Sequence, residues 1–173
     1  MIEFKLTHGA KLPRRGSKLS SGWDLEARGF SILRHGTIQN TIWFDDSSLN
    51  SVTINPQERI LIHTGLHVNL SEPHFESDTE FELTEMQIRP RSGLAAKYGL
   101  TVLNAPGTID NEYTDEIGVI LYNTSTRSYT INNGERIAQA VLCFVKIPKE
   151  SGIKIVEEFS THSDRGGFGS TGK

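Results

Sequence analysis

Short runs of alternating hydrophobic and polar residues fill most of this 173-residue chain, and glycine, proline and asparagine break them every few positions. Met1 to Leu6 alternates as a strand does. Ser21-Gly22-Trp23-Asp24-Leu25-Glu26-Ala27 sets a glycine and an aspartate at the mouth of another. Val52-Thr53-Ile54, Arg59 to Ile62 and Leu66 to Leu70 predict three short strands, with turns at Asn55-Pro56 and Thr64-Gly65. Glu80 to Met86 alternates, so its acids share one solvated face. Ile117 to Tyr122 reads as a buried strand, and Ser128 to Ile131 as a strand before an Asn132-Asn133-Gly134 turn. Ile137 to Ile147 is the longest predicted strand and Ile153 to Phe159 the last regular piece.

Helical spacing is confined to Leu94 to Tyr98, with Gly99 as its stop. Residues 31 to 51 join the apolar Ile42-Trp43-Phe44 to the loop-like Asp45-Asp46-Ser47-Ser48, which predicts a hairpin or an excursion from the main sheet. Pro13 to Ser17 is a basic loop and His74 to Asp78 a polar one. Many short strands with almost no helix predict an all-β sandwich or barrel, one domain over residues 1–159. Ser160 to Lys173 is glycine-rich and cannot bury enough apolar surface to order itself, so a mobile C-terminal arm is expected.

Composition removes several function classes. A net charge of −3 gives no basic field for a nucleic-acid duplex. The single cysteine, Cys143, excludes an intramolecular disulfide, and its apolar neighbours predict a small core residue. No apolar run approaches a membrane span and the N-terminus lacks a secretory pattern, so a soluble, cytoplasmic protein is expected. One cysteine and six scattered histidines do not suit a tetrahedral zinc site. His63 and His67 are four apart, but Gly65 and the β-rich surroundings deny them one helical face. A serine triad needs a supporting histidine and acid, and nothing in the sequence marks them.

The candidate chemistry centres on Leu103 to Asn123, where a turn with Asn104, Pro106 and Gly107 runs into Asp110, Glu112, Tyr113, Asp115 and Glu116 before the buried strand. A carboxylate held in a hairpin can orient a water and take its proton, and a tyrosine three residues on offers a flat ring to a ligand. The same residues also suit an ordinary acidic surface turn. Ser92 precedes the helical piece, where free N–H groups favour an anion; it equally suits a helix cap. In the arm, successive glycine and hydroxyl N–H groups can wrap a phosphate chain, Arg165 adds a bidentate contact and Phe168 a stacking face.

Five stretches, in order, make the chain resemble the trimeric deoxyuridine triphosphatase (dUTPase) family. They are Ser21-Gly22-Trp23-Asp24-Leu25, Arg89-Pro90-Arg91-Ser92-Gly93-Leu94-Ala95, Asn104-Ala105-Pro106-Gly107-Thr108-Ile109-Asp110 through Tyr113, Gly134-Glu135-Arg136-Ile137-Ala138-Gln139, and Arg165-Gly166-Gly167-Phe168-Gly169-Ser170-Thr171-Gly172. The resemblance implies a distorted jelly-roll or β-barrel with one short helix and a closing arm. It implies a homotrimer with shared active sites and Mg2+-dependent hydrolysis of dUTP to dUMP and pyrophosphate. By position, Asp110 would activate the water that attacks the α-phosphorus. Asn104, Gly107 and Ile109 would hold the uracil, and Tyr113 would pack under the deoxyribose and exclude a ribose 2′-hydroxyl. Arg91, Ser92, Gly93 and Gln139 would hold the phosphates. Asp24 would act on the magnesium ion through water, the ion itself being held by the triphosphate. Phe168 would stack on uracil, with Arg165, Gly169, Ser170 and Thr171 on the γ-phosphate.

The chain departs from the family pattern at Thr114-Asp115, where Arg-Gly is usual, and at Ser21 and Trp23. Segments near 31–51 and 74–85 are longer than a minimal member requires, and the first offers a surface for an unknown protein partner. A dUTP-binding regulatory protein using that surface is the alternative from another class, and a dCTP deaminase of the same fold a further enzymatic one.

Overall fold

The computed structural model describes residues 1–34, 37–70 and 75–157. Its strands are β1 (Glu3–Leu6), β2 (Arg14–Arg15), β3 (Trp23–Glu26), β4 (Gly29–Arg34), β5 (Thr37–Ile38), β6 (Ile42–Trp43), β7 (Ser51–Ile54) and β8 (Arg59–Asn69). They continue as β9 (Phe75–Glu76), β10 (Glu80–Pro90), β11 (Leu100–Val102), β12 (Gly107–Ile109), β13 (Glu116–Asn123), β14 (Tyr129–Asn132) and β15 (Arg136–Pro148). One sheet runs β11-β13-β8-β4-β5, with β1 on β8 and β6 on β4; the other runs β12-β10-β15-β3-β2, with β9 on β10. β14 and β7 form a separate pair. Every pairing is antiparallel. The fold is all-β and jelly-roll-like, and the two sheets do not close into a barrel.

The core lies between the two larger sheets. Phe30, Ile62, Val119 and Leu121 come from one, Leu25, Met86, Ile88 and Ile137 from the other, all 5% exposed or less. Burial of each such side chain favours folding by about 1.5–3 kcal/mol. In β13 the alternation is complete: Ile117, Val119, Leu121 and Asn123 face inward. The helix α1 (Ser92–Tyr98) inserts Leu94 into this core and ends at Gly99, whose φ of 69° closes the C-cap with N–H bonds to Ala95 and Leu94 carbonyls.

Several expectations change. Arg59 to Leu70 is not two strands about a turn, because β8 runs unbroken through Thr64-Gly65. Gly65 has φ +66°, and a Cβ there would meet the Thr7 carbonyl oxygen at 2.4 Å, so the glycine makes a bulge instead. The first half of β8 takes β4 along one edge and the second half takes β1. Residues 29–34 therefore belong to the main sheet, and β5 and β6 extend it by pairing with β4. Arg14–Arg15 pairs with β3 rather than looping free. Ser92 does not cap α1: the cap position is Arg91, without a side-chain bond. Cys143 is half-buried beside Arg89, whose Nη2 lies 3.6 Å from its Sγ, and is not a core residue. A 3-10 turn at Glu150–Gly152 follows β15, and residues 153–157 form no strand. The remainder of that expected piece and the arm lie outside the described residues, as do residues 71–74.

Candidate active site

The hairpin between β11 and β13 is built by register. Gly107, Thr108 and Ile109 pair with Ile88, Gln87 and Met86 on β10, which ties the edge of one sheet to the region where β11 and β13 edge the other. The Ala105-Pro106 peptide is cis. The Tyr113 N–H donates to the Asp110 carbonyl at 3.1 Å, closing the acidic turn. Asn111 Nδ2 donates to the Thr84 carbonyl at 3.1 Å and fastens the turn to β10. Between the two edges opens a cavity of about 160 Å³ lined by Val102, Asn104, Gly107, Ile109, Tyr113 and Gly118, among others. Sites that enclose a whole drug-sized ligand run to about 300–1,000 Å³, so this one suits a single ring. A Cβ on Gly107 would stand 3.3 Å from Asn104 Nδ2, so glycine leaves the amide of Asn104 its place. Asp110 and Tyr113 are exposed at the hairpin. Burial, then the charges of Asp115 and Glu116, push the Tyr113 hydroxyl above its ordinary pKa and keep it a donor. It donates to the Glu116 carbonyl at 2.8 Å.

A second cluster lies on the outer face of the other sheet. Arg89 pairs with Gln139 and Gln139 with Asp24, so the three side chains form a row across β10, β15 and β3. Leu25 faces the core, which turns Asp24 outward. Asp24 Oδ2 accepts from Arg136 Nη1 at 3.0 Å, and Arg91 Nε stands 3.2 Å from Oδ1. Arg91 also donates to the Arg136 carbonyl at 2.9 Å. Asp24 Oδ1 is nevertheless buried without a properly aligned hydrogen bond. Ser92 shares a trough with Gln87, Arg89, Pro90, Ala105 and Pro106, and a Cβ on Gly93 would meet nothing within 4 Å.

The expected site residues thus fall into two groups. Asn104, Gly107, Ile109 and Tyr113 share the ring-sized cavity, with Asp110 at the next position of the hairpin. Arg91, Ser92, Gly93, Gln139 and Asp24 sit on the other side of β10. The division follows from strand alternation: Ile88 lines the cavity, while its neighbours Gln87 and Arg89 line the trough on the opposite face. Arg165, Phe168, Gly169, Ser170 and Thr171 lie outside the described residues.

Sequence reasoning missed a buried polar set. Ser31 Oγ lies 2.9 Å from His63 Nε2, and His63 Nδ1 lies 2.8 Å from Glu116 Oε2. A serine, histidine and acid do therefore come together, on β4, β8 and β13. No local signal joins residues 32 and 53 positions apart.

A family model described as dUTPase matches residues 30–172. A deoxyuridine 5′-triphosphate nucleotidohydrolase of Neorickettsia sennetsu is 40% identical over 169 residues, 96% of this chain and 93% of that one. One of Nautilia profundicola is 50% identical over 131 residues, 75% and 83% of the two chains. Among solved structures, the dUTPase of Staphylococcus bacteriophage 80alpha with dUpNHpp matches at a TM-score of 0.72 and 25% identity, covering 100% of this chain and 99% of that one.

Proposed function

The chain belongs to the dUTPase family, and from that premise we propose that it hydrolyses dUTP to dUMP and pyrophosphate. The observation that carries the arrangement of the site is the split across β10. A ring-sized cavity lies on one face and the anion-binding groups on the other. The complete site therefore takes its base pocket and its phosphate groups from different copies, which supports a homotrimer with shared sites.

The roles follow from chemistry. Uracil enters the cavity, where Asn104 and the hairpin backbone meet its polar edge. Tyr113 lies along the deoxyribose. Asp110, exposed at the head of the acidic turn, orients a water toward the α-phosphorus and takes its proton. Arg91, Ser92 and Gln139 of another copy hold the phosphate oxygens. Asp24 Oδ1, buried and lacking an aligned donor, suits a hydrogen bond from a water of a phosphate-bound ion. Magnesium, when bound, neutralises the phosphate chain and aligns it for in-line displacement. The arm, with Phe168 and Arg165, covers the bound nucleotide and excludes water.

The test is pyrophosphate release from dUTP, dCTP, dTTP and UTP, with and without magnesium, alongside ammonia release from dCTP. Magnesium-dependent cleavage of dUTP alone is expected; ammonia release would favour the deaminase instead. Asp110→Asn and Gln139→Ala chains, unfolded and refolded together, should regain activity that neither has alone. Mixed assemblies that stay inactive would place the whole site within one chain.

A further inference from the structure

On the reading that the cavity beside Tyr113 takes a 2′-deoxyribonucleotide, we propose that His63 and Glu116 are positioning residues for sugar selection, fixing the Tyr113 ring from the core. Glu116 is the hinge of this device. Its carboxylate accepts from His63 Nδ1 at 2.8 Å and from the N–H groups of Thr64 and Gly65 at 2.9 and 2.8 Å. Its carbonyl accepts the Tyr113 hydroxyl at 2.8 Å. The side chain that pins Glu116 to β8 thus also holds the atom that orients the tyrosine. The anchor sits where it is most needed, because the β13 register shifts between Glu116 and Gly118. An unanchored end at such a shift is free to slide, and the tyrosine would move with it.

The histidine is held at both nitrogens. With Glu116 ionised, Nδ1 carries the proton and donates, which leaves Nε2 to accept from Ser31 Oγ at 2.9 Å or Thr41 Oγ1 at 3.3 Å. The Trp43 ring packs against the imidazole, centroid to centroid 5.2 Å. The connectivity is that of a nucleophile, base and acid. Ser31 is 0% exposed, however, so its hydroxyl meets no substrate. The set acts by holding geometry, not by attacking.

Two amides separate the arms of the histidine. His63→Asn places an N–H donor near the Nδ1 position and keeps the bond to Glu116. His63→Gln reaches toward Ser31 and loses it. The measurement is kcat and KM for dUTP and UTP, with melting temperature recorded in parallel. His63→Gln is expected to lower the ratio of kcat/KM for dUTP over UTP by about tenfold, the size of one hydrogen bond lost. The change should fall on KM and on UTP acceptance, with kcat for dUTP kept. His63→Asn should restore the ratio. Tyr113→Phe, which cuts the same link without touching the core, should lower it equally. An unchanged ratio in Tyr113→Phe overturns the inference, even if His63→Gln does not fold. So do equal losses in the two His63 variants. A wild-type chain that cleaves dUTP while Tyr113→Phe selects normally overturns this inference alone; one that cleaves neither nucleotide overturns the functional reading and this inference with it.

Discussion

Replacing Glu116 with alanine removes one acceptor group from three donors at once. These are His63 Nδ1 at 2.8 Å, the Thr64 N–H at 2.9 Å and the Gly65 N–H at 2.8 Å. Thr64 is 1% exposed and His63 9%, so water does not readily replace the carboxylate. Each unpaired buried donor costs about 1–3 kcal/mol, and water entering the space left by the side chain offsets part of the sum. The expected loss is about 3–5 kcal/mol at neutral pH, in the range reserved for broken buried networks. Glu116→Gln is the control. It keeps an oxygen for the two N–H groups, and His63 can shift its proton to Nε2 and donate to Ser31, so about 1 kcal/mol is expected. Urea unfolding at one protein concentration measures both.

The pH dependence carries a sign. Burial raises the Glu116 pKa, but the bonds from His63, Gly65 and Thr64 and the charge of His63 together hold it below its ordinary value. A carboxyl depressed in the folded state stabilises fully above its unfolded value of about 4.3 and loses that contribution as pH falls through the folded pKa. The gap between wild type and Glu116→Gln should therefore be widest near neutrality and narrow in acid. A Glu116→Ala loss below about 1 kcal/mol, or a gap that widens in acid, would refute the reasoning.

Three further outcomes are expected. Asp110→Asn should bind a non-hydrolysable dUTP analogue normally but lose about 10²–10⁴ in kcat, since the amide cannot take a proton; near-normal turnover would remove Asp110 from the reaction. Gly107→Ala puts a methyl group 3.3 Å from Asn104 Nδ2 and 3.4 Å from Ile88 Cβ. It should raise KM for dUTP about three- to tenfold while leaving the melting temperature nearly unchanged, and an unaltered KM would mean that the Asn104 amide does not meet the base. Truncation after Ser163 should preserve the melting temperature and reduce kcat/KM on the order of 10²-fold, and full activity in the shortened chain would remove the arm from the site.

Much of the sheet framework was readable because a strand writes its period into the chain. Ile117 to Tyr122 reads as a buried strand, and it folds as one whose alternate residues, Ile117, Val119 and Leu121, face the core. Gly99 stops the helix because the cap needs a left-handed residue. The five motifs are equally local, so the candidate site residues were available before any fold. Thr64-Gly65 misled because a glycine with positive φ looks the same in a turn and in a bulge; only the neighbours of β8 decide between them. Cys143 misled because the apolar run around it lies where β15 extends past the packed sheets, with Phe144 67% exposed.

The amino-acid sequence by itself determined which residues repeat with a strand's period, where the helix stops and which side chains have the chemistry for a nucleotide. Those properties depend on neighbours within a few positions. Tertiary structure alone decided that Ser31, His63 and Glu116 touch, that Asp24 faces two guanidinium groups, and that the cavity beside Tyr113 and the trough beside Ser92 occupy opposite faces of β10. These depend on sheet register, and a one-residue shift in register exchanges every inward side chain for an outward one.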